Sequence, residues 1–402
     1  MSAPKLNRWE IVSSTGSHFD ALDGLRGVAI LLVVAFHTFY INPADGLLAW
    51  MFNWGVIQPG WMGVPIFFVL SGFLISYPFF QQRAEDPQFW HQRGYVRRRI
   101  AKILPPFYLS ILLFLGFYWW QFHDPAYLSS AWKWATGLGN FITVTPYFNG
   151  VYWSLLVESQ YYIVLPLLFW LTRGLSVRRT GQILFLILFL VPLVAQQLTI
   201  WPANVYVLPD FSSPLFSETM MRVSRFPCQL DYFAWGVVFA SVFVSLKCEG
   251  MDKLRALSLF GYAGIGLMAM TLFFWGLWTE QYQINAHPTR WGGTISHLLP
   301  GVAAMLMLFF VFDRQSLGAR FLSMGWLRFI GIVSYEWFLF HLPVVNWFQA
   351  HSPGQAHGNV LAYAWKTLVP LALTFGFSVL VYRYFSLPIM HRVRDHLKSK
   401  PK

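Results

Sequence analysis

The sequence predicts an all-α fold, a polytopic membrane helical bundle of about ten transmembrane helices with both termini cytoplasmic. Three observations carry that prediction. The chain is 56% hydrophobic, 19% aromatic and only 11% charged, against about 25% charged in a soluble domain. Apolar stretches of roughly 19 to 26 residues recur along its whole length, each long enough to cross the hydrocarbon of a bilayer. With the N-terminus placed inside, only Lys133, Arg222, Arg225, Arg290 and Lys366 of the 29 Lys and Arg residues fall on the outer side, the bias that orients membrane helices.

In order, the predicted spans are 25–42, 61–80, 101–121, 151–172, 180–201, 227–246, 254–279, 294–312, 326–349 and 361–385. The N-terminal stretch lacks the short apolar core and small-residue cleavage site of a signal peptide, so the first span is expected to persist. Most connections are short. Two on the outer side are longer: Phe122 to Gly150, rich in Trp, Tyr and Gly, and Pro202 to Phe226, with several Pro and Ser. Trp residues at span ends suit an interfacial belt. Cys228 and Cys248 fall at opposite ends of one span, too far apart to bridge. No internal repeat divides the chain, so residues 1–402 read as one domain. The net charge of +12 is explained by the inner loops and the basic tail Arg392 to Lys402, which suits anionic membrane lipids. No nucleic-acid partner is expected.

The ionisable residues inside the spans carry the functional signal, because each costs roughly 2.5 to 3.5 kcal/mol on insertion scales. Arg26 and His37 lie eleven positions apart, which on a helix puts them on one face and about 16 Å apart along the axis. A ligand reaching both is long and charged at one end. Estimated from the predicted span ends, His37, Ser71, Glu158 and His341 enter their spans from the outer side by about 8 to 15 Å, a shared layer best satisfied by a common cavity. At the inner side Arg97, Arg98, Arg99 and Lys102 precede Ile103-Leu-Pro-Pro106, a group able to neutralise phosphates. Coenzyme A, with a phosphorylated head, a flexible arm and a thioester tip, has the shape that would join the two levels.

Five segments in this order resemble the acyltransferase-3 family of bacterial membrane O-acyltransferases, which acylate cell-envelope polysaccharides and other hydroxyl compounds. They are Leu22-Asp-Gly-Leu-Arg26 through His37, Phe67-Phe-Val-Leu-Ser-Gly-Phe-Leu-Ile-Ser76, Arg98-Arg-Ile-Ala-Lys-Ile-Leu-Pro105, Trp153-Ser-Leu-Leu-Val-Glu158 with Gln160-Tyr-Tyr162, and Ser334-Tyr-Glu-Trp-Phe-Leu-Phe-His-Leu-Pro343. The resemblance runs from about residue 19 to 390. It implies His37 as the catalytic residue, Arg26 as its motif partner, Glu158 as a further site residue, and Arg98, Arg99 and Lys102 as the lining of an acyl-CoA site. It also implies an acceptor contact from Arg225, and His341 and Trp153 are further candidates for the acceptor site. Two positions depart from the family pattern: Lys102 stands where a second arginine is frequent, and Ser386-Leu-Pro388 stands where Glu-x-Pro is frequent. The esterase-like domain appended to some relatives is not expected.

Each residue also has a plainer reading. His37 is either an imidazole bonded between helices or the general base that takes a proton from an acceptor hydroxyl, and an acyl-histidine intermediate stays open. Arg26 either snorkels to the interface or binds phosphate. Glu158 either orients His37 or binds the acceptor, and His341 either makes a structural hydrogen bond or lines the acceptor site. Ser71 beside Gly72 favours close helix packing over nucleophilic chemistry, and Asp23 favours capping the first helix through the Leu25 or Arg26 amide. His18, His287, His297, His351, His357 and His391 show no close metal-ligand pattern, so no zinc or bound cofactor is expected. The sequence therefore predicts an enzyme of the bacterial inner membrane that moves an acyl group, acetyl first, from cytoplasmic acyl-CoA to a hydroxyl of a cell-envelope glycan. A transporter or proton-coupled carrier is the alternative, since buried Arg, Glu and His also mark ion pathways.

Overall fold

The computed structural model describes residues 19–38, 57–90, 94–141, 148–200, 226–250, 255–282, 290–351 and 360–399. Every regular element among them is helical: α1 Asp20–Thr38, α2 Gly63–Glu85, α3 Tyr95–Phe122, α4 Ala126–Ala135, α5 Tyr152–Leu171, α6 Val177–Ile200, α7 Leu230–Cys248, α8 Leu259–Tyr282, α9 Arg290–Met307, α10 Leu317–Leu322, α11 Gly325–His351, α12 Val360–Val381 and α13 Leu387–Ser399. Among the described residues nine helical stretches are long and apolar enough to cross a membrane, and the chain is a polytopic helical membrane protein. The remaining predicted span, 294–312, corresponds to α9 continued by a 3-10 turn to Phe312. The apolar part of it that is described, Leu298–Phe312, is shorter than a full span.

Helices overrun the predicted spans at their charged ends, because the intrahelical hydrogen-bond ladder continues wherever polar side chains can point away from hydrocarbon. α3 begins at Tyr95, so Arg97, Arg98 and Arg99 lie on the helix and not before it. α1 begins at Asp20, with the amides of Leu22 and Asp23 already bonded to the Phe19 carbonyl at 2.9 and 3.4 Å. Asp23 is therefore inside the first turn and is not the cap the sequence suggested, since the amides it would have capped belong to the ladder. Its carboxylate, with that of Asp20, faces the positive end of the helix dipole, and Asp20 also pairs with Arg328 at 2.8 Å. The basic tail is likewise helical as far as Ser399, following a π turn at Tyr382–Ser386. It packs on the start of α3, where a Cβ at Gly94 would meet Leu397 at 2.8 Å.

Close backbone contacts fix α1 between its neighbours. A Cβ on Gly331 would sit 1.8 Å from the Asp23 carbonyl oxygen, one on Gly24 1.7 Å from that of Leu322, and one on Gly63 2.3 Å from that of Ala29. Small residues let membrane helices approach to this degree. The α1 and α11 helices run parallel, Asp23 and Gly27 against Gly331 at one end and His37 against His341 at the other. From Gly27 to His37 and from Gly331 to His341 are equal steps of ten residues, about 15 Å each. Equal rise along parallel touching helices is what brings two histidines 304 positions apart to one level. Around them lies an apolar cluster that includes Val33, Val34, Phe107, Tyr152, Phe338 and Phe340, while a second cluster centres on α2 and α7, with Phe73, Phe233 and Phe239.

Candidate active site

His37 lies one residue from the end of α1 and is partly buried, whereas His341, in the middle of α11, is fully buried. His341 Nε2 lies 3.1 Å from His37 Nδ1, with the ring centroids 5.0 Å apart. His37 Nδ1 is also 2.9 Å from the Val33 carbonyl oxygen, and His341 Nδ1 is 3.0 Å from those of both Trp337 and Phe338. These are i to i−4 and i−3 contacts, made possible because helical side chains lean back toward the N-terminus of their own helix. Gln349 Nε2 donates to the His37 carbonyl oxygen at 3.2 Å, tying the end of α1 to α11. Phe36 stands edge-on to the His37 ring.

Glu158 occupies a separate polar contact. Its carboxylate accepts hydrogen bonds from the Ser71 hydroxyl of α2 and the Tyr162 hydroxyl one turn along α5. Of the four residues expected to share a layer, the structure thus brings together two pairs, His37 with His341 and Glu158 with Ser71. Among the described residues no hydrogen bond joins one pair to the other. Gly72 does take the close contact, against the Phe233 carbonyl oxygen, while the neighbouring Ser71 spends its hydroxyl on Glu158.

The cations lie toward the other end of α1. The Arg99 guanidinium stands over the rings of Tyr95 and Tyr162, 5.9 and 5.4 Å from their centroids, so Tyr162 bridges Arg99 to Glu158. Lys102 lies within electrostatic reach of Arg26, Arg99, Glu158 and Glu336. Neither Arg26 nor Lys102 makes a hydrogen bond or ion pair with any described residue. Like charges gathered without donors satisfied form a receptive place for an anion. Arg98 is half-buried and its amide bonds to the Gly94 carbonyl oxygen at 3.0 Å. Trp153 packs edge-on to Phe68, between the two apolar clusters. Arg225 lies outside the described residues.

Three residues escaped the sequence reading. Glu336 is buried on α11, beside Ser386 and within electrostatic reach of Lys102 and Arg26. A carboxylate in the middle of a span was the available signal, the same one that singled out Glu158. It also puts an acid next to the position where the family's Glu-x-Pro pattern has become Ser386-Leu-Pro388. Tyr162, the hydroxyl donor to Glu158, gave no signal beyond its motif. Arg83 follows the second predicted span on its inner side, yet it is 1% exposed. Its guanidinium donates to the carbonyl oxygens of Phe89, Thr172 and Phe169 at 2.6 to 2.7 Å and to Thr180 Oγ1 at 3.2 Å.

Comparison with known proteins shows what the chain resembles. The family model described as the acyltransferase domain, acyltransferase-3, matches residues 19–383. O-acetyltransferase OatA of Staphylococcus aureus is 25% identical over 393 residues, covering 92% of this chain and 57% of that protein. Peptidoglycan O-acetyltransferase OatA of Listeria monocytogenes is 23% identical over 395 residues, with 92% and 55% covered. The chain thus spans little more than half the length of these relatives. No solved structure matches it.

Proposed function

The chain belongs to the acyltransferase-3 family, and from that premise we propose that it is a membrane O-acyltransferase moving an acetyl group from cytoplasmic acetyl-CoA to a sugar hydroxyl of the cell envelope, with His37 as general base. The names of the two relatives, an O-acetyltransferase and a peptidoglycan O-acetyltransferase, make a peptidoglycan sugar the first acceptor to try. The observation that carries the reading is the hydrogen-bonded pair of His37 and His341 at one end of α1, with the cations Arg26 and Lys102, which have no hydrogen-bond or ion-pair partner among the described residues, toward the other. About 16 Å separates the Arg26 and His37 levels along the helix, a distance suited to a phosphorylated head on one side and a thioester on the other. Family membership favours this enzyme over the carrier reading.

In the proposed reaction the acceptor oxygen attacks the thioester carbonyl carbon as His37 takes the hydroxyl proton. The C–S bond then breaks and the proton passes to the departing CoA sulfur, so His37 ends as it began. Arg26, Arg99 and Lys102 hold the donor phosphates by charge-assisted hydrogen bonds. Glu158, satisfied by Ser71 and Tyr162, keeps Arg99 and Tyr162 in place beside them. The cation end of α1 faces the cytoplasm of a bacterial inner membrane, in keeping with the positive-inside bias, and the histidine end meets the acceptor from the outer half. Bringing both substrates into one bundle supplies proximity in addition to base catalysis.

The test is thiol release from acetyl-CoA by the purified protein in detergent, with and without soluble peptidoglycan fragments. Acceptor-stimulated release should fall by about 10²- to 10⁴-fold in His37→Ala, the range of a lost general base. Equal release by His37→Ala and wild type would overturn the assignment of His37.

A further inference from the structure

We infer that His341 is a positioning residue that fixes the tautomer and ring orientation of His37, leaving the lone pair of His37 on Nε2. The inference rests on the reading of His37 as base. A carbonyl oxygen only accepts hydrogen bonds. His341 Nδ1, 3.0 Å from two of them, therefore carries the ring proton, and the Nε2 of the neutral ring carries the lone pair. That Nε2 faces His37 Nδ1 at 3.1 Å. His37 Nδ1, which also faces the Val33 carbonyl oxygen at 2.9 Å, is in turn the protonated nitrogen. Two helix carbonyls on α11 thus favour, through one intervening imidazole, the same tautomer of the α1 ring that the Val33 carbonyl favours. The hydrogen bond on one ring nitrogen decides which tautomer the other presents.

Val33 alone would hold the Nδ1 proton, yet a single carbonyl leaves the ring free to rotate about χ2, a broad torsion. The second acceptor, from a different helix, restricts that rotation. It also gains strength when His37 becomes an imidazolium during proton transfer, because the donor is then charged. His341 is fully buried, with both ring nitrogens occupied by protein partners, which leaves it no nitrogen for the acceptor and separates this role from the acceptor-binding one the sequence suggested.

The experiment has two arms. Solid-state ¹⁵N spectra of histidine-labelled protein in lipid bilayers report the tautomer, with the His37 signals assigned by their absence from His37→Ala. Wild type should show His37 protonated at Nδ1 and unprotonated at Nε2, and His341→Leu should show a mixture of both tautomers. Turnover supplies the second arm: His341→Leu should lower kcat by about 10- to 100-fold, the worth of one charge-assisted hydrogen bond, with KM for acetyl-CoA unchanged. His341→Gln, which keeps an acceptor oxygen, should recover part of the loss. Wild-type His37 protonated at Nε2 would overturn the inference whether or not any variant folds. So would full kcat in His341→Leu alongside an inactive His37→Ala, a result that spares the base assignment. An active His37→Ala would instead overturn the underlying reading.

Discussion

Two arginines that look alike in the sequence do opposite things in the structure. Arg26 and Arg83 each sit on a membrane helix toward the end predicted to face the cytoplasm. Arg83 is 1% exposed and its donors go to Phe89, Phe169, Thr172 and Thr180. The Phe169 and Thr172 carbonyls close α5, whose last turn has no intrahelical donors of its own, and the guanidinium also stands over the Phe169 ring. Arg26 is half-buried and bonds to no described residue. An arginine whose donors are consumed by the fold is a strut; one whose donors are left over, beside Lys102 and Arg99, is available to a ligand. Residue type and depth do not separate the two, and only the destination of the donors does.

Replacing Arg83 should produce the largest effect. Arg83→Met removes the guanidinium donors to the carbonyl oxygens of Phe89, Phe169 and Thr172, and the loss should be about 3 to 5 kcal/mol, read as a lowered melting temperature and a poor folded yield in detergent. Arg83→Lys, which keeps the charge but not the fork that reaches several carbonyls at once, should fall between that variant and wild type in the same assay. Arg26→Met should leave the melting temperature near wild type but weaken CoA binding by about 10- to 100-fold, the worth of one charge-assisted contact to phosphate. The smallest effect belongs to a third arginine. Arg178 pairs with Glu249 on the surface, with side chains 64% and 44% exposed, so Arg178→Ala should cost at most about 1 kcal/mol and leave turnover unchanged. A destabilised Arg26→Met with normal CoA affinity would erase the contrast.

The sequence yielded the helical membrane fold because hydropathy and charge bias are local signals. Helix ends were less legible, since Tyr95 to Ile100 and Asp20 to Gly24 are polar enough to read as loop yet continue the ladder of the span that follows. His37, Glu158 and the inner cations were visible as ionisable groups in apolar surroundings. Their partners were not: Ser71 with Glu158, and His341 with His37, depend on helix packing that no local pattern encodes. Glycine made the second pairing possible, through Gly27 and Gly331, ten residues below each histidine. Glu336 carried the same signal as Glu158 and was passed over within the motif from Ser334 to Pro343 that also holds His341. Arg83 shows the limit most clearly, because a count of positive charges treats a buried strut and an interfacial lysine alike.

The central claim is that α1 carries donor binding at the Arg26 end and chemistry at the His37 end, and equilibrium binding of radiolabelled CoA to Arg26→Met and His37→Ala tests it most directly. Arg26→Met should bind about 10- to 100-fold more weakly than wild type, while His37→Ala binds as wild type does. Undiminished binding by Arg26→Met, or an equal loss in His37→Ala, would contradict that division of α1.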